Sequence, residues 1–190
     1  MRLLWLGVPL VIVGSIVLPA MVGGAYSPTR SRAVRKMLEH ARIQPGDVLV
    51  DLGAGDGRIL LHAARQYRIP VVGIEIDPLR WCYCRLRLSL SGVRHLATVR
   101  LANFFDVDLS FATVVTFYLS QAAADKLKAK FEAELPDGAR VVSYRRPIRG
   151  WIPTLHDPED DVYVYTITRT SRGGSSGDDR PGPSPGEESR

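Results

Sequence analysis

Apolar positions along the chain follow two different periods. Short runs rich in β-branched residues, Val48 to Val50, Val71 to Ile74, Val114 to Phe117 and Ala139 to Val142, have no polar alternation, as strands buried on both faces require. Between them lie segments of helical length, Arg58 to Tyr67, Pro78 to Ser91 and Gln121 to Leu135. An earlier segment, Ser31 to Ile43, places Val34, Met37, Leu38 and Ala41 on one helical face and its cations on the other. Strands alternating with helices predict an α/β fold, a doubly wound and mostly parallel sheet with right-handed crossovers. A last alternating run, Val162 to Thr168, follows an irregular stretch holding Pro147, Pro153 and Pro158, and fits an antiparallel edge strand. No internal repeat is present.

The two ends differ from this middle. From Leu3 to Ala25 there is no charged residue, and at roughly 1.5 Å per residue a helix there would reach about 35 Å, enough to cross a bilayer. The segment is read as one transmembrane helix. A cleavable signal is the rival reading, with Gly23 and Ala25 at suitable spacing for cleavage. Arg30, Arg32, Arg35, Lys36 and Arg42 follow the span closely, against Arg2 before it, so the following domain is expected on the cytoplasmic side, or the matrix side of a mitochondrion. Ser171 to Arg190 contains no aliphatic or aromatic residue and is expected to stay disordered. The expected organisation is an anchor over 1–26, a domain over 27–170 and a tail over 171–190.

Composition narrows the chemistry further. Lys and Arg number 25 against 20 Asp and Glu, and all but four of the cations are arginine. Two cysteines, Cys82 and Cys84, are too few for a disulfide framework and, at i, i+2 on a helix, face apart; no metal is expected.

The first strand-to-helix turn is the informative one: Asp51-Leu52-Gly53-Ala54-Gly55-Asp56-Gly57-Arg58. Gly53, Gly55 and Gly57 permit positive φ and close approach of a ligand beside Ala54, and the helix starting near Arg58 offers an N-terminus. A dinucleotide fingerprint would place glycine or alanine where Arg58 stands and requires no strand-end acid. Asp51 at the carboxyl edge of the sheet suits a cationic group such as an amino-acid ammonium, which favours S-adenosylmethionine as cofactor over a nicotinamide. Glu75 ends the second run 24 positions after Asp51, the place for a ribose ligand. Ile76 would then border the adenine, and Asp77-Pro78 would cap the next helix. Asn103 and Phe104, at the end of the third run, are candidates for the adenine edge and face.

At these residues the chain resembles the seven-strand-type S-adenosylmethionine-dependent methyltransferases, which have a Rossmann-like sheet. A closer resemblance, over about Tyr26 to Ile152, is to membrane-anchored protein lysine methyltransferases. Mitochondrial enzymes acting on the c-type ring protein of ATP synthase and on the adenine nucleotide translocase typify these, with archaeal relatives. It is carried by Tyr26-Ser27-Pro28-Thr29, Asp51 to Ile59, Gly73 to Pro78, Asn103 to Ser110, and Pro147 with Trp151. The resemblance implies that Tyr26 and Thr29 cap the cofactor, although Ala25 and Ser27 depart from the family pattern. It implies as partners a protein with an accessible lysine and a membrane held by the N-terminal helix. Methyl transfer to an amine needs no covalent nucleophile; Tyr118 and Ser120, ending the fourth run, stand nearest the expected acceptor. That run lacks the Asp/Asn-Pro-Pro-aromatic sequence of enzymes that methylate nucleic acid bases, so nucleic acid is not the expected substrate. Three alternatives remain open: methylation of a lipid or small-molecule amine, RNA methylation, and cofactor binding without turnover.

Overall fold

The computed structural model describes residues 29–168. The stretch read as an anchor, Tyr26 and the expected tail lie outside the described residues. Among those described, no helix is long and apolar enough to cross a membrane.

The elements run α1 (Ser31–His40), β1 (Leu49–Leu52), α2 (Arg58–Tyr67), β2 (Val71–Glu75), α3 (Pro78–Leu90), β3 (Ala97–Leu101), β4 (Val114–Phe117), α4 (Gln121–Glu134), β5 (Arg140–Tyr144), β6 (Leu155–Asp157) and β7 (Val162–Thr166). Among the described residues they build one seven-stranded sheet in the order β3-β2-β1-β4-β5-β7-β6. The first five of these are parallel, and β7 runs antiparallel to both neighbours. The sheet is the Rossmann-like α/β architecture that the alternating pattern predicts.

Two expectations are corrected. The run Val162 to Thr168 is antiparallel but not an edge, because β6 pairs outside it, His156 opposite Tyr163. Three residues between prolines carry no alternation to read, and β6 forms because β7 offers an open rim. Asp51 is not the last residue of β1; the strand runs on to Leu52, which pairs with Phe117.

The central strands are buried on both faces, as their unbroken apolar runs require. On one side α1, α2 and α3 bring Val34, Met37, Leu60, Ala64, Cys84 and Leu88 onto Leu49, Val114 and Val142. On the other, α4 and the loop after β3 bring Leu127, Phe131, Phe104 and Leu109 onto Val50, Leu52, Val115 and Phe117. Each such side chain withdrawn from water contributes about 1.5–3 kcal/mol. From β1 the chain winds outward to β3 and then crosses back to β4 on the other flank of β1. The carboxyl ends of β1 and β4 therefore border the crevice where strand order reverses, the usual ligand position in open α/β sheets.

Candidate functional site

Asp51 sits at that crevice, in register with Thr116 of β4 on one side and Gly73 of β2 on the other. Its carboxylate is 3% exposed and accepts a hydrogen bond from the Thr116 hydroxyl at 2.8 Å. Burial pushes the Asp51 carboxyl up to about 7; the Thr116 hydrogen bond resists this, while the charges of Glu75 and Asp56 add to it. A buried acid held half-neutral in this way is a receptor for positive charge.

The glycine turn after β1 takes the shape its sequence implies. Gly53, Gly55 and Gly57 have φ of 80°, 55° and 73°, a region that side chains disfavour. Its amides, however, are engaged internally. Gly53 and Ala54 both donate to the Ile74 carbonyl, at 2.9 and 3.0 Å, and Gly57 donates to Ala54 at 2.8 Å. The Gly55 N–H donates to Glu75 Oε2 at 2.7 Å. These four N–H groups are thus not free for a ligand, and the turn contributes shape and close approach instead. Gly73 serves the same packing from β2: a Cβ there would lie 2.6 Å from Leu60 Cδ1 and 2.7 Å from Ala54 Cβ. Gly57, the N-cap of α2, provides no side-chain cap; Asp56 Oδ1 accepts from Arg58 N at 3.2 Å in its place.

Glu75 ends β2 at 4% exposure, its Oε1 accepting from the Ile76 and Asp77 amides, each at 3.0 Å. With Gly55 on the other oxygen, the carboxylate is fixed by three backbone donors before any ligand arrives. Asp77 caps α3 through the Leu79 and Arg80 amides, with Pro78 in the first turn, as the Asp-Pro pair predicts. The Ala102 amide donates to the Glu75 carbonyl at 2.9 Å, which brings Asn103 beside the end of β2. Asn103 Oδ1 accepts from Phe105 N at 3.1 Å. Phe104 is 3% exposed and belongs to the core cluster; the more open ring is Phe105, 4.7 Å away. Ile76 is half-buried at the same rim.

Sequence reading missed a clamp around Asp56. Arg58 Nε and Nη2 hold its two carboxylate oxygens at 2.9 Å each, and Arg87 of α3 adds Nη1 at 2.8 Å. Burial works against this charge, but the arginine hydrogen bonds outweigh it and hold the carboxyl below its usual range. Arg58 Nη1 also donates to the Thr29 carbonyl at 2.6 Å, seating the chain before α1 against the turn. Of the pair expected to cap the cofactor, Thr29 is 6% exposed with its carbonyl held by Arg58, and Tyr26 lies outside the described residues.

At the end of β4, Tyr118 is half-buried with its ring 4.8 Å from that of Tyr144, and the Arg145 guanidinium lies 5.8 Å over Tyr144. Arg145 has φ 62°, a strained value for a side chain. Ser120 Oγ accepts from Ala123 N at 3.2 Å and so serves as the N-cap of α4. Trp151 lies against Phe131 and Tyr165 and donates to Glu132, on the far side of the sheet from Tyr118.

A group bound here would meet two buried carboxylates and a clamped third. That composition fits a cationic sulfonium nucleoside with an amino-acid ammonium. It opposes a dinucleotide, whose pyrophosphate would lie at the glycine turn, where the amides are spent within the protein and Asp51 is buried.

The model of the ANTKMT methyltransferase domain matches residues 51–155, more than half of the chain. A protein-lysine N-methyltransferase of Saccharolobus islandicus is 41% identical over 149 residues, 75% of this chain and 92% of that protein. The adenine nucleotide translocase lysine N-methyltransferase of Mus musculus is 33% identical over 144 residues, 75% of this chain but 62% of that longer protein. Among solved structures, an RNA methyltransferase from Salinibacter ruber in complex with S-adenosyl-L-homocysteine superposes with TM-score 0.72 at 41% identity, covering 75% of this chain and 94% of that one. By this match and by the geometry of its crevice, the chain belongs to the ANTKMT family of S-adenosylmethionine-dependent methyltransferases.

Proposed function

We propose that this protein transfers the methyl group of S-adenosylmethionine to a lysine side chain of another protein. The donor half of the reading is carried by the buried Asp51 at the switch point, facing Thr116 and flanked by a Glu75 already fixed by three amides, and the acceptor half is supported by the 41% identity to a protein-lysine N-methyltransferase. In this reading Asp51 ionises against the donor's ammonium, Glu75 takes the ribose hydroxyls, Ile76 and Asn103 border the adenine, and Gly53 to Gly57 allow the close approach. Thr29 and Tyr26 close the site from the amino-terminal side. Phe104, buried in the core, is not open to the adenine face, and the half-buried Phe105 beside it is the ring that would meet it.

The bound donor supplies a methyl carbon activated by a positive sulfur and leaves as a neutral thioether. The chain's task is to align and to desolvate. Alignment of donor and acceptor can supply about 7–11 kcal/mol. A lysine must also reach the site neutral, which from a pKa of about 10.4 costs ~4.6 kcal/mol at pH 7. Tyr118, half-buried at the end of β4 with its ring against Tyr144, borders the place where the acceptor would enter, and the Arg145 guanidinium over Tyr144 disfavours a second cation there, so the amine loses its proton to solvent before it arrives. Ser120, as a helix cap, holds the β4–α4 turn in place rather than the acceptor.

The uncharged stretch Leu3 to Ala25 supports a single-pass anchor with the domain on the cytoplasmic or matrix side, and supports substrates in or at the same membrane. A second reading, RNA methylation, is favoured by the described activity of the Salinibacter ruber protein. Radiolabelled donor incubated with membrane extract and with total RNA separates the two. Label in a protein band, with a 14 Da step on a lysine by mass spectrometry, is the expected result. Label confined to RNA or to the lipid extract would overturn it.

A further inference from the structure

We infer that the outward face of α3 is a docking surface for an anionic lipid bilayer. α3 is apolar on two opposite faces. The inner one is spent on the core: Cys84 and Leu88 are buried, and the Trp81 indole N–H donates to the Val99 carbonyl of β3 at 3.1 Å. On the opposite face Leu79, Tyr83, Leu86 and Leu90 recur at steps of four, three and four residues and form one stripe along the helix. They are 48%, 57%, 58% and 80% exposed. Aliphatic side chains lined up in water on a helix are the pattern of an interfacial element, with a tyrosine suited to the headgroup level.

The flanks of the stripe carry the charge such a surface needs. Arg80 and Arg87 edge it on one side, paired with Asp77 and Asp56, and Arg85, without such a pair among the described residues, stands on the other. Beyond Arg85, between α3 and the edge strand β3, Arg85, Ser89, Arg94 and Thr98, together with the apolar Leu88, Ala97 and Val99, line a hollow of about 220 Å³. Arg85 lies over the Trp81 ring at 5.3 Å, and among the described residues neither Arg85 nor Arg94 takes part in a salt bridge. Two guanidiniums without counter-charge beside two hydroxyls have the chemistry of a phosphodiester site. A second copy of this chain fits the stripe poorly, since stacking two such faces would press like-charged arginine rims together. An RNA strand would meet the arginines but leave the leucines in water. A bilayer with anionic headgroups satisfies both.

The chain's own geometry points the same way. Arg87 of α3 and Arg58 of α2 grip the same Asp56, and Arg58 also holds the Thr29 carbonyl, so Thr29 is tied to α3 through the start of α2, while α1 after it packs on α2, β5 and β7. Thr29 follows Ala25, the end of the uncharged stretch, by four residues. With α3 lying on the lipid, its Asp77 cap, two residues beyond Glu75, brings the donor crevice to the headgroup level, where lysines of membrane proteins are found. This goes beyond the anchor reading and does not depend on it.

The test uses the full chain with an environment-sensitive fluorophore on Cys82, exposed on the flank of the stripe. Cys84 is buried, with its thiol pushed up to about 12, and stays unlabelled. Vesicles of phosphatidylcholine with 30% phosphatidylglycerol are compared with phosphatidylcholine alone. The expected result is a blue shift on the anionic vesicles that spin-labelled lipids quench. Leu86→Glu with Leu90→Glu should weaken the shift at least tenfold without changing the melting temperature or donor affinity, because both side chains face solvent. Arg85→Gln with Arg94→Gln should keep the stripe but reduce the anionic preference roughly 25-fold, about fivefold for each cation lost. A chain that sediments with vesicles while the Cys82 probe stays in water would leave the anchor standing and sink this inference. A blue shift that needs no lipid but follows self-association, or one elicited by RNA alone, would overturn it as well. A lipid-dependent shift that survives Val11→Asp with Val13→Asp would support docking even if the anchor reading failed.

Discussion

Replacing Asp51 by asparagine should make the free protein more stable and nearly unable to bind its donor. An acid whose pKa is raised by folding loses stability as pH climbs from the unfolded value to the folded one. For Asp51 that window runs from the ordinary 3.8 to about 7. At about 1.36 kcal/mol per pH unit the penalty reaches roughly 4 kcal/mol and is fully present above pH 7. Asparagine removes the charge and keeps an oxygen for the Thr116 hydroxyl, but its buried amide hydrogens lack an acceptor, which returns about 1–3 kcal/mol. A net gain of about 1–3 kcal/mol corresponds to a rise in Tm of roughly 3–10 °C at pH 8, shrinking to nothing or reversing by pH 4. The donor's ammonium, in contrast, loses a buried counter-charge, about 3–5 kcal/mol or roughly two to four orders of magnitude in affinity. In the wild type a proton competes with that ammonium, so donor affinity should be flat above pH 8 and fall about tenfold per unit below pH 7. Scanning calorimetry at pH 8 and pH 4, with and without donor, reads all of this. An asparagine variant that melts below wild type at pH 8, or that binds the donor undiminished, would refute the electrostatic reading of the site.

Other outcomes follow from single contacts. Gly57→Ala would put a Cβ 2.6 Å from Cys84 Sγ at a φ of 73°, costing about 1–3 kcal/mol. A Gly57→Ala, Cys84→Ala pair should recover the steric part in a double-mutant cycle and leave the strain of positive φ. Asp77→Ala removes the cap on the Leu79 and Arg80 amides and should lower stability by about 1 kcal/mol in urea denaturation, with m unchanged. Tyr118→Leu, which removes the ring beside the acceptor, should lower kcat about three- to tenfold with donor Kd unaltered, the signature of a group on the acceptor side.

Much of this site was legible because its requirements are local. Three glycines in five positions have few uses other than a turn at positive φ, and the three φ values bear this out. Arg58 to Tyr67 and the Asp77-Pro78 cap lie where periodicity and capping chemistry place them. What depended on the order of strands was not legible. Thr116 is an ordinary strand residue until β4 is known to lie beside β1, 65 residues away in the chain, where its hydroxyl meets Asp51. The same holds for Asp56, whose second clamp comes from Arg87, and for β6, which exists only because β7 presents a rim. The stripe on α3 escaped notice for a different reason: apolar residues on two opposite faces cancel the periodic signal that either would give alone.

The loop amides depart from expectation in one respect. A glycine-rich turn before a helix suggests free N–H groups aimed at a ligand, yet here Gly53, Ala54, Gly55 and Gly57 all donate within the protein. In the proposed site, specificity then rests on the carboxylates, which favour positive charge over phosphate.

Isothermal titration calorimetry of the full chain at pH 8, with S-adenosylmethionine in one series and a nicotinamide dinucleotide in the other, tests that selection most directly. Saturable one-to-one heat with the sulfonium nucleoside, weakened at least tenfold by Glu75→Gln, and none with the dinucleotide is the predicted result. Heat from the dinucleotide and silence from S-adenosylmethionine would contradict the assignment of Asp51 and Glu75 on which every later step depends.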